Sequence, residues 1–320
     1  MMRAAWMTRV AGVALAALAI TAANASAQQG RQVRQQSVRP AYDVDSAMAR
    51  ATLLRRQNRK AEAERVMAQA VAMAPGRADA RALHEQLRQE TRGGEAIATA
   101  EVKTWREQLP EWREAMVSLR KNTGHGPVAA RVSRVERGLL SDDRLQVEAY
   151  PAFPRGYFAF GAALATNASV YARTAASAEV YASVTEHIEG SVGYRRMNFT
   201  TGVDMVGGSL GAYAGQFLIG SRVTHVLRDG GSSVTLSARR FIGEDGGFVG
   251  AKLATGSVPV ELRTPTDFTV RFSQAVVAEA RVVVGGLLVL SAEGEAGRDG
   301  LLAGGSSEYR AARVGIGVRY

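Results

Sequence analysis

Apolar and polar residues alternate along residues 93–320 with the period of two that is typical of β-strands. The alternation is clear at Thr235–Arg239 and at Arg313–Tyr320. Each alternating stretch covers about ten residues and ends in turn-forming sequence such as Asn122–Gly124 or Asp229–Gly231. We predict strands near 96–106, 112–122, 127–137, 143–151, 156–166, 175–185, 188–198, 203–213, 216–227, 232–242, 247–254, 267–278, 281–293 and 308–320. The count is about fourteen, within a range of roughly 12–16.

The two faces of these strands differ in a way that separates a membrane barrel from a soluble β-sandwich. A soluble sandwich carries charged residues freely on its solvated face. Here one face of each strand is nearly free of charge, as at Phe158, Phe160 and Leu164, while the other holds Ser, Thr, Gly and isolated charges. Hydrocarbon requires an uncharged outer face. The chain is therefore predicted to be mainly β, with an antiparallel transmembrane up-and-down β-barrel at residues 93–320.

The last strand has a pattern of its own. Val314, Ile316 and Val318 share one face with the terminal residue, Tyr320. This resembles the carboxy-terminal signature of bacterial outer-membrane barrels, in which an aromatic residue ends an alternating strand. The resemblance implies two partners, the outer-membrane lipid around the barrel and the barrel-assembly machinery that reads the final strand.

Ahead of the strands, residues 41–92 have the helical period of 3.6 and are rich in helix-forming residues. We predict helices near 44–57, 60–73 and 77–91. The first two match the spacing of a tetratricopeptide repeat, with Ala51, Leu54, Ala63 and Met67 at its packing positions. This tetratricopeptide-like segment is either a periplasmic docking module for a protein or glycan partner, or a packing appendage with no ligand.

The first 27 residues have the three parts of a secretory signal peptide. Arg3 and Arg9 supply the charge, Val10–Ala23 is apolar, and Ala25–Ala27 offers a small-residue cleavage site. The apolar run is shorter than the roughly 20 residues that a spanning helix needs. We expect 1–27 to be removed on export and 28–40, which is polar and low in complexity, to be a flexible leader.

Composition restricts the chemistry. The 320 residues include no cysteine and four histidines, and the net charge of +10 is spread along the chain rather than gathered in a basic arm. We found no catalytic constellation, cofactor motif or metal-ligand spacing. We expect a protein that is not an enzyme, binds no cofactor or metal and does not bind nucleic acid.

Charged residues on the polar strand faces are the candidate functional residues. By parity, the side chains expected to face the lumen are Arg120, Arg131, Glu148, Glu179, Arg195, Arg222, Arg239, Lys252, Arg271 and Arg313, with Glu114 and Glu189 on the same side. Eight basic against four acidic residues predict a mildly positive interior with a weak preference for anions. The alternative is that these charges pair across strands and stabilise a closed barrel.

The order of the parts resembles the YaiO family of outer-membrane β-barrel proteins. The resemblance rests on Gln146–Pro151, Arg155–Phe160, Ala178–Tyr181, Gly190–Arg195, Gly208–Tyr213 and Gly315–Tyr320, together with the preceding helical segment. It covers nearly the whole mature chain, although the strands here are poorer in aromatic residues. It implies a barrel in the outer membrane of a Gram-negative bacterium, with the helical segment in the periplasm.

Two functions remain open at this stage. One is a conduit or export-associated channel for a polar solute or glycan, because a helical-repeat segment ahead of an outer-membrane barrel resembles the plan of exopolysaccharide exporters. The other is a structural or interaction barrel with a periplasmic docking hairpin and no transport. About eight strands fill with side chains and 16–18 leave a channel, so about fourteen favours an opening that a folded-in loop could plug.

Overall fold

The structure, a computed structural model, describes residues 44–56, 59–106, 109–123, 125–153, 155–185, 187–227, 231–243, 245–257, 270–301 and 306–320. The predicted signal peptide (1–27) and leader (28–40) lie outside these residues.

Three helices begin the described chain: α1 (Val44–Arg56), α2 (Lys60–Met73) and α3 (Ala78–Arg92). Their bounds lie within one residue of the predicted ones. The helices share a small core made of Ala47, Ala51, Leu54, Ala63, Met67, Ala70, Ala80 and Leu87. In the part of the chain that the structure describes, no helix is long and apolar enough to cross a membrane.

Ion pairs hold α3 against the other two helices. The Glu90 carboxylate on α3 lies 2.7 Å from Arg55 of α1 and 2.9 Å from Lys60 of α2. Burial alone would raise the pKa of Glu90, but the hydrogen bonds from these two cations outweigh burial and hold that pKa below its ordinary value. Where α3 begins, the Arg77 guanidinium donates to Asp79 at 2.9 and 2.7 Å and lowers the pKa of Asp79 to about 2.

Antiparallel strands form the rest of the structure. They are β1 (Gly94–Trp105), β2 (Trp112–Thr123), β3 (Gly126–Arg137), β4 (Leu140–Ala149), β5 (Ala152–Phe153), β6 (Gly156–Ala165), β7 (Thr174–Ser183), β8 (Ile188–Asn198), β9 (Gly202–Ala214), β10 (Phe217–Val226), β11 (Ser232–Ile242), β12 (Gly247–Gly256), β13 (Val270–Val284), β14 (Leu288–Leu301) and β15 (Ser306–Arg319). Strands that follow one another in the sequence pair with each other, except that β4 pairs directly with β6. The pairing of β1 with β15 joins the first strand to the last. The two-residue β5 pairs only with the start of β6. The result is the predicted closed barrel, with fourteen strands.

One predicted strand was wrong. The stretch 281–293 was expected to be a single strand, but residues 285–287 form a turn between β13 and β14. Gly285 and Gly286 adopt φ values of +59° and +70°, a conformation that glycine reaches without a steric penalty. The unbroken apolar sequence around these glycines concealed the turn.

Side chains alternate between the two faces of the wall. Outward residues are apolar and exposed, with Val132 at 58%, Leu164 at 59% and Val314 at 60%. An exposed apolar band of this extent is stable only in contact with lipid. Inward positions on the same strands are mostly polar or small, as the alternation predicts, and the buried Val135 of β3 is an exception.

The chain enters and leaves the barrel at the same end. Gly94 and Tyr320 exchange backbone hydrogen bonds of 2.6 and 3.0 Å, which close the wall there. Tight turns, including Gly215–Gln216, lie at this end. Bacterial outer-membrane barrels have their short turns in the periplasm, so this is the periplasmic end and the helices lie beside it.

Candidate functional site: the barrel lumen

The inner wall carries nearly equal numbers of basic and acidic side chains. Among the described side chains, twelve inward residues are basic: Lys103, Arg120, Arg131, Arg137, Arg144, Arg195, Arg222, Arg239, Lys252, Arg281, Arg313 and Arg319. Eleven are acidic: Glu95, Glu101, Glu114, Asp142, Glu148, Glu179, Glu189, Glu279, Glu293, Glu295 and Asp299. The expected excess of eight basic over four acidic residues was therefore wrong for the folded barrel. That count omitted Asp142 of β4 and the acidic residues of β1, β13 and β14, which outnumber the basic residues that it omitted.

On one side of the lumen these charges form a continuous ion-pair ladder across six adjacent strands. Its members, in order, are Glu101, Arg313, Glu293, Lys252, Glu279 and Arg239. Arg313 donates to Glu101 at 2.9 Å and to Glu293 at 3.1 Å. Lys252 lies 2.8 Å from Glu279 and 3.6 Å from Glu293. Each charge in the ladder faces an opposite charge, so removing one member leaves its neighbours in the wall uncompensated.

A second cluster lies across the lumen on β7, β8 and β10. The Glu179 carboxylate accepts a hydrogen bond from Arg222 at 2.7 Å and one from the Ser191 hydroxyl at 2.5 Å. Smaller side chains surround this cluster, among them Gly161, Ser177 and Gly193. The side chains of the ion-pair ladder fill one side of the lumen, whereas small residues line the side of Glu179. The open part of the lumen therefore lies on the side of Glu179.

A constriction loop, residues 166–173 between β6 and β7, folds into the extracellular end of the lumen. Val170 and Tyr171 are only 2% and 1% exposed. The Asp142 carboxylate on β4 accepts backbone N–H groups from Asn167 at 3.0 Å, Val170 at 2.6 Å and Tyr171 at 2.9 Å. Ala168, at the tip, has a φ of +53°, an uncommon conformation for a residue with a Cβ. The Ser141 carbonyl also accepts hydrogen bonds from the Asn167 side chain at 3.3 Å and the Ser169 hydroxyl at 3.2 Å. The buried Asp142 carboxylate and this neighbouring carbonyl thus anchor the loop inside the barrel.

The ring of Tyr171 fills the space that the loop enters. It meets Trp112 of β2 edge to face at a centroid distance of 6.0 Å. Arg144 of β4 lies 4.3 Å from the centroid of the same ring. These contacts join the constriction loop to β2 and β4 and narrow the lumen at its extracellular end.

The periplasmic end of the lumen is bordered by tyrosines and by α2. Tyr157 and Tyr181 stack at 4.6 Å, and the Arg59 guanidinium before α2 lies 4.8 Å from the ring centroid of Tyr213. Glu62 orients Arg59 by accepting two hydrogen bonds at 2.8 and 2.7 Å. Arg65 donates to the Phe153 carbonyl at 3.2 Å. The helical segment therefore contacts the mouth of the barrel through its basic side chains.

A cavity of about 360 Å³ lies in the lumen along β4 and β6–β10. Its wall includes Gln146, Glu148, Tyr181, Arg222 and Thr224. At about 30 Å³ per water, it has room for roughly ten water molecules. It is a polar space that suits a hydrated small solute or one sugar ring at a time.

The sequence of the barrel supports a family assignment. The family model for the YaiO membrane beta barrel domain matches residues 95–261. The chain belongs to the YaiO family. It is accordingly an outer-membrane protein, and the predicted location is confirmed.

Solved outer-membrane structures are similar to this chain at low identity. The outer membrane protein Omp33 of Acinetobacter baumannii is 10% identical, with 72% of this chain and 98% of that chain covered and a TM-score of 0.46. A bacterial polysaccharide outer membrane secretin is 8% identical, with coverage of 72% and 99% and a TM-score of 0.45. The anion-selective porin of Comamonas acidovorans is 10% identical, with coverage of 71% and 98% and a TM-score of 0.40. No curated protein matches the chain.

The structure places nine of the ten candidate lumen charges on the inner wall of the YaiO-family barrel. They are Arg120, Arg131, Glu148, Glu179, Arg195, Arg222, Arg239, Lys252 and Arg313. The side chain of Arg271 lies outside the described residues. Val314, Ile316, Val318 and Tyr320 all face outward, and the ring of Tyr320 covers Gly94, where an added Cβ would lie 2.5 Å from it.

Sequence reasoning missed Asp142, Tyr171 and Arg59. Asp142 lies in Ser141–Asp143, a run of turn-forming residues at the start of the strand predicted near 143–151. An available signal was the alternation along β4, which puts Asp142 on the same face as Gln146 and Glu148. For Tyr171 and Arg59 no local signal exists, since their roles depend on contacts between distant segments. In the described residues no group of three His, Asp or Glu side chains is placed to hold a metal ion.

Proposed function

We propose that this YaiO-family protein is a narrow conduit for a polar solute or glycan across the outer membrane. The observation that carries the proposal is the polar cavity of about 360 Å³ on the inner wall. It lies between the constriction loop at the extracellular end and the helical segment at the periplasmic end.

The proposed path has one restriction at each end. The constriction loop is held by hydrogen bonds to the Asp142 carboxylate and the Ser141 carbonyl, and α2 contacts the mouth through Arg59 and Arg65. Both arrangements rest on a few polar contacts, which exchange readily with water or with a hydroxylated solute. We infer that passage requires displacement of one or both.

We also infer that the protein is not an enzyme. Many of its inward carboxylates pair with inward basic groups, as in the pairs Glu101–Arg313 and Glu279–Lys252. Such groups balance charge in the wall and orient water. They do not form the nucleophile–base–orienting-group arrangement of a catalytic site.

A second function, a structural or interaction barrel, is favoured by the ion-pair ladder. Ladder charges that neutralise each other stabilise a closed wall. In this alternative the helical segment docks a periplasmic protein or glycan, and the lumen carries nothing.

Single-channel conductance in planar bilayers distinguishes the two functions. Three proteins are compared: the mature chain, the chain without residues 28–92, and Asp142→Ala. For a conduit we expect small conductance in the mature chain and a severalfold increase in each altered protein. Silent bilayers from all three, with heat-modifiable migration showing that they are folded, would leave only the structural function.

A further inference from the structure

A concavity of about 1180 Å³ opens on the outward, membrane-facing wall across β11–β15 and β1. On the lumen side of the wall behind it, Ala254, Ala275 and Tyr309 are buried in a separate cluster. Most of the side chains around the concavity point away from the lumen. It is therefore distinct from the conduit, and the inference drawn from it does not depend on the proposed function.

The register of the strands arranges the lining in two parallel rows. The row nearer the membrane centre runs through Leu236, Leu253, Val276, Ala296 and Arg310, each of which is the cross-strand partner of the next. Leu236, Leu253 and Val276 are 54–55% exposed. This first row is an apolar floor, open to lipid, that ends at a cation.

The second row lies two residues nearer the extracellular end on every strand. It runs through Val234, Thr255, Gln274, Arg298 and Glu308 to Arg106. Arg298 donates to the Ser306 hydroxyl at 2.9 and 2.7 Å, and Arg106 lies 3.1 Å from Glu308. Glu308 therefore has Arg106 as its ion-pair partner and Arg298 as its cross-strand partner, and Arg310 lies two positions further along β15 on the same face. These three arginines lie at the end of the apolar floor nearest the extracellular rim.

Basic side chains at a membrane surface attract anionic headgroups, and each basic side chain raises the affinity about fivefold. Guanidinium groups bind phosphate oxygens with paired hydrogen bonds. An apolar floor below such a rim accommodates acyl chains while the rim holds the headgroup. We propose that this groove binds a phosphorylated glycolipid of the outer leaflet, with its phosphate at Arg298 and Arg310 and an acyl chain along Leu236, Leu253 and Val276.

The rest of the wall supplies a matched control. Arg196 also faces outward near the extracellular end, on β8, and pairs with Asp204 at 3.2 Å. It has similar exposure but does not line the groove. A nonspecific attraction of lipid phosphate to exposed arginines would involve Arg196 as much as Arg298.

The test is a binding titration of the purified full-length protein in detergent. The probes are lipid A with its phosphates and the same lipid dephosphorylated. We expect Arg298→Gln with Arg310→Gln to raise the Kd for phosphorylated lipid A about thirtyfold, from the loss of two headgroup cations. Arg196→Gln should change this Kd less than threefold, and the dephosphorylated lipid should bind the unaltered protein about as weakly as phosphorylated lipid binds the double variant.

A second variant tests the floor separately. Leu253→Trp keeps an apolar, lipid-facing residue but fills part of the groove, so we expect it to weaken binding of both lipids. Heat-modifiable migration verifies that each variant is folded. An unchanged Kd in the double variant, an equal loss in Arg196→Gln, equal binding of the two lipids, or an unchanged Kd in Leu253→Trp would each overturn the proposal.

Discussion

The carboxylate of Asp142 accepts the backbone N–H of Tyr171 at 2.9 Å, from a position 29 residues earlier in the chain. This bond and its two neighbours turn a surface connection into a constriction inside the lumen. A buried carboxylate that accepts three N–H groups is well solvated by the backbone, so these bonds favour the inward position of the loop when no solute competes for them.

The first prediction concerns this loop. Asp142→Ala removes the acceptor of three hydrogen bonds and should cost the local structure about 2 kcal/mol. We expect hydrogen exchange at Val170 and Tyr171 to accelerate about thirtyfold. The control is Asp143→Ala, since the adjacent carboxylate faces outward, 3.6 Å from Arg134. Equal acceleration in both variants would contradict the role of Asp142.

The second prediction concerns the ion-pair ladder. Arg313→Gln leaves Glu101 and Glu293 without their shared cation and should lower the free energy of unfolding by about 3 kcal/mol. The control is Arg113, which faces outward and is 66% exposed. Arg113→Gln should change the free energy of unfolding by less than about 0.5 kcal/mol. Urea unfolding of the refolded protein in vesicles measures both. A double variant, Glu101→Gln with Arg313→Gln, should lose less than the sum of its single variants, and strict additivity would argue against the pairing.

The third prediction concerns ion selectivity. Because inward basic and acidic residues nearly balance, we expect a reversal potential close to zero under a salt gradient. Glu279→Gln combined with Glu293→Gln removes two inward negative charges and should shift the potential towards anion preference. The same charge change on the outer wall, Glu136→Gln with Glu308→Gln, should leave it unchanged. A strong preference of the unaltered protein for anions or for cations would show that the numbers of inward basic and acidic residues do not govern ion permeation.

The fourth prediction concerns pH and the helical segment. The pKa of Glu90 is lowered in the folded state, so its ion pairs stabilise the helices above its ordinary pKa of about 4.3, and this stabilisation is lost as pH falls through the folded pKa. We expect hydrogen exchange in α3 to accelerate below about pH 4, beyond the intrinsic dependence of exchange on pH. Glu90→Gln should show the faster exchange already at pH 7, with little further acid effect. Glu85→Gln, at an exposed carboxylate, should behave as the unaltered protein.

The fifth prediction concerns barrel assembly. Tyr320 covers Gly94 where the first and last strands meet, and we propose that the assembly machinery recognises this strand. Deleting Tyr320 should reduce the folded, heat-modifiable form in outer membranes severalfold, whereas deleting residues 28–40 should not. Equal amounts of folded protein in both strains would refute a special role for the terminal residue.

The strands and their faces were accessible from local sequence. A β-strand places successive side chains on opposite faces, so alternation alone assigned Phe158 and Leu164 to lipid and Arg239 and Arg313 to the lumen. The exception shows the limit of this reasoning. At Gly285–Gly286 the flanking residues are apolar on both faces, and local pattern could not separate one strand from two.

The amino-acid sequence by itself determined the closed meander, its lipid-facing band and the helical segment ahead of it, because periodicity and turn chemistry act between near neighbours. Only the tertiary structure decided which inward charges meet, since Glu101 and Arg313 are 212 positions apart and become neighbours when β1 pairs with β15. It also decided that the constriction loop turns inward onto Asp142 and that Arg59 reaches Tyr213. These contacts depend on closure of the wall, which brings distant segments within hydrogen-bonding distance and cannot be deduced from any one of them.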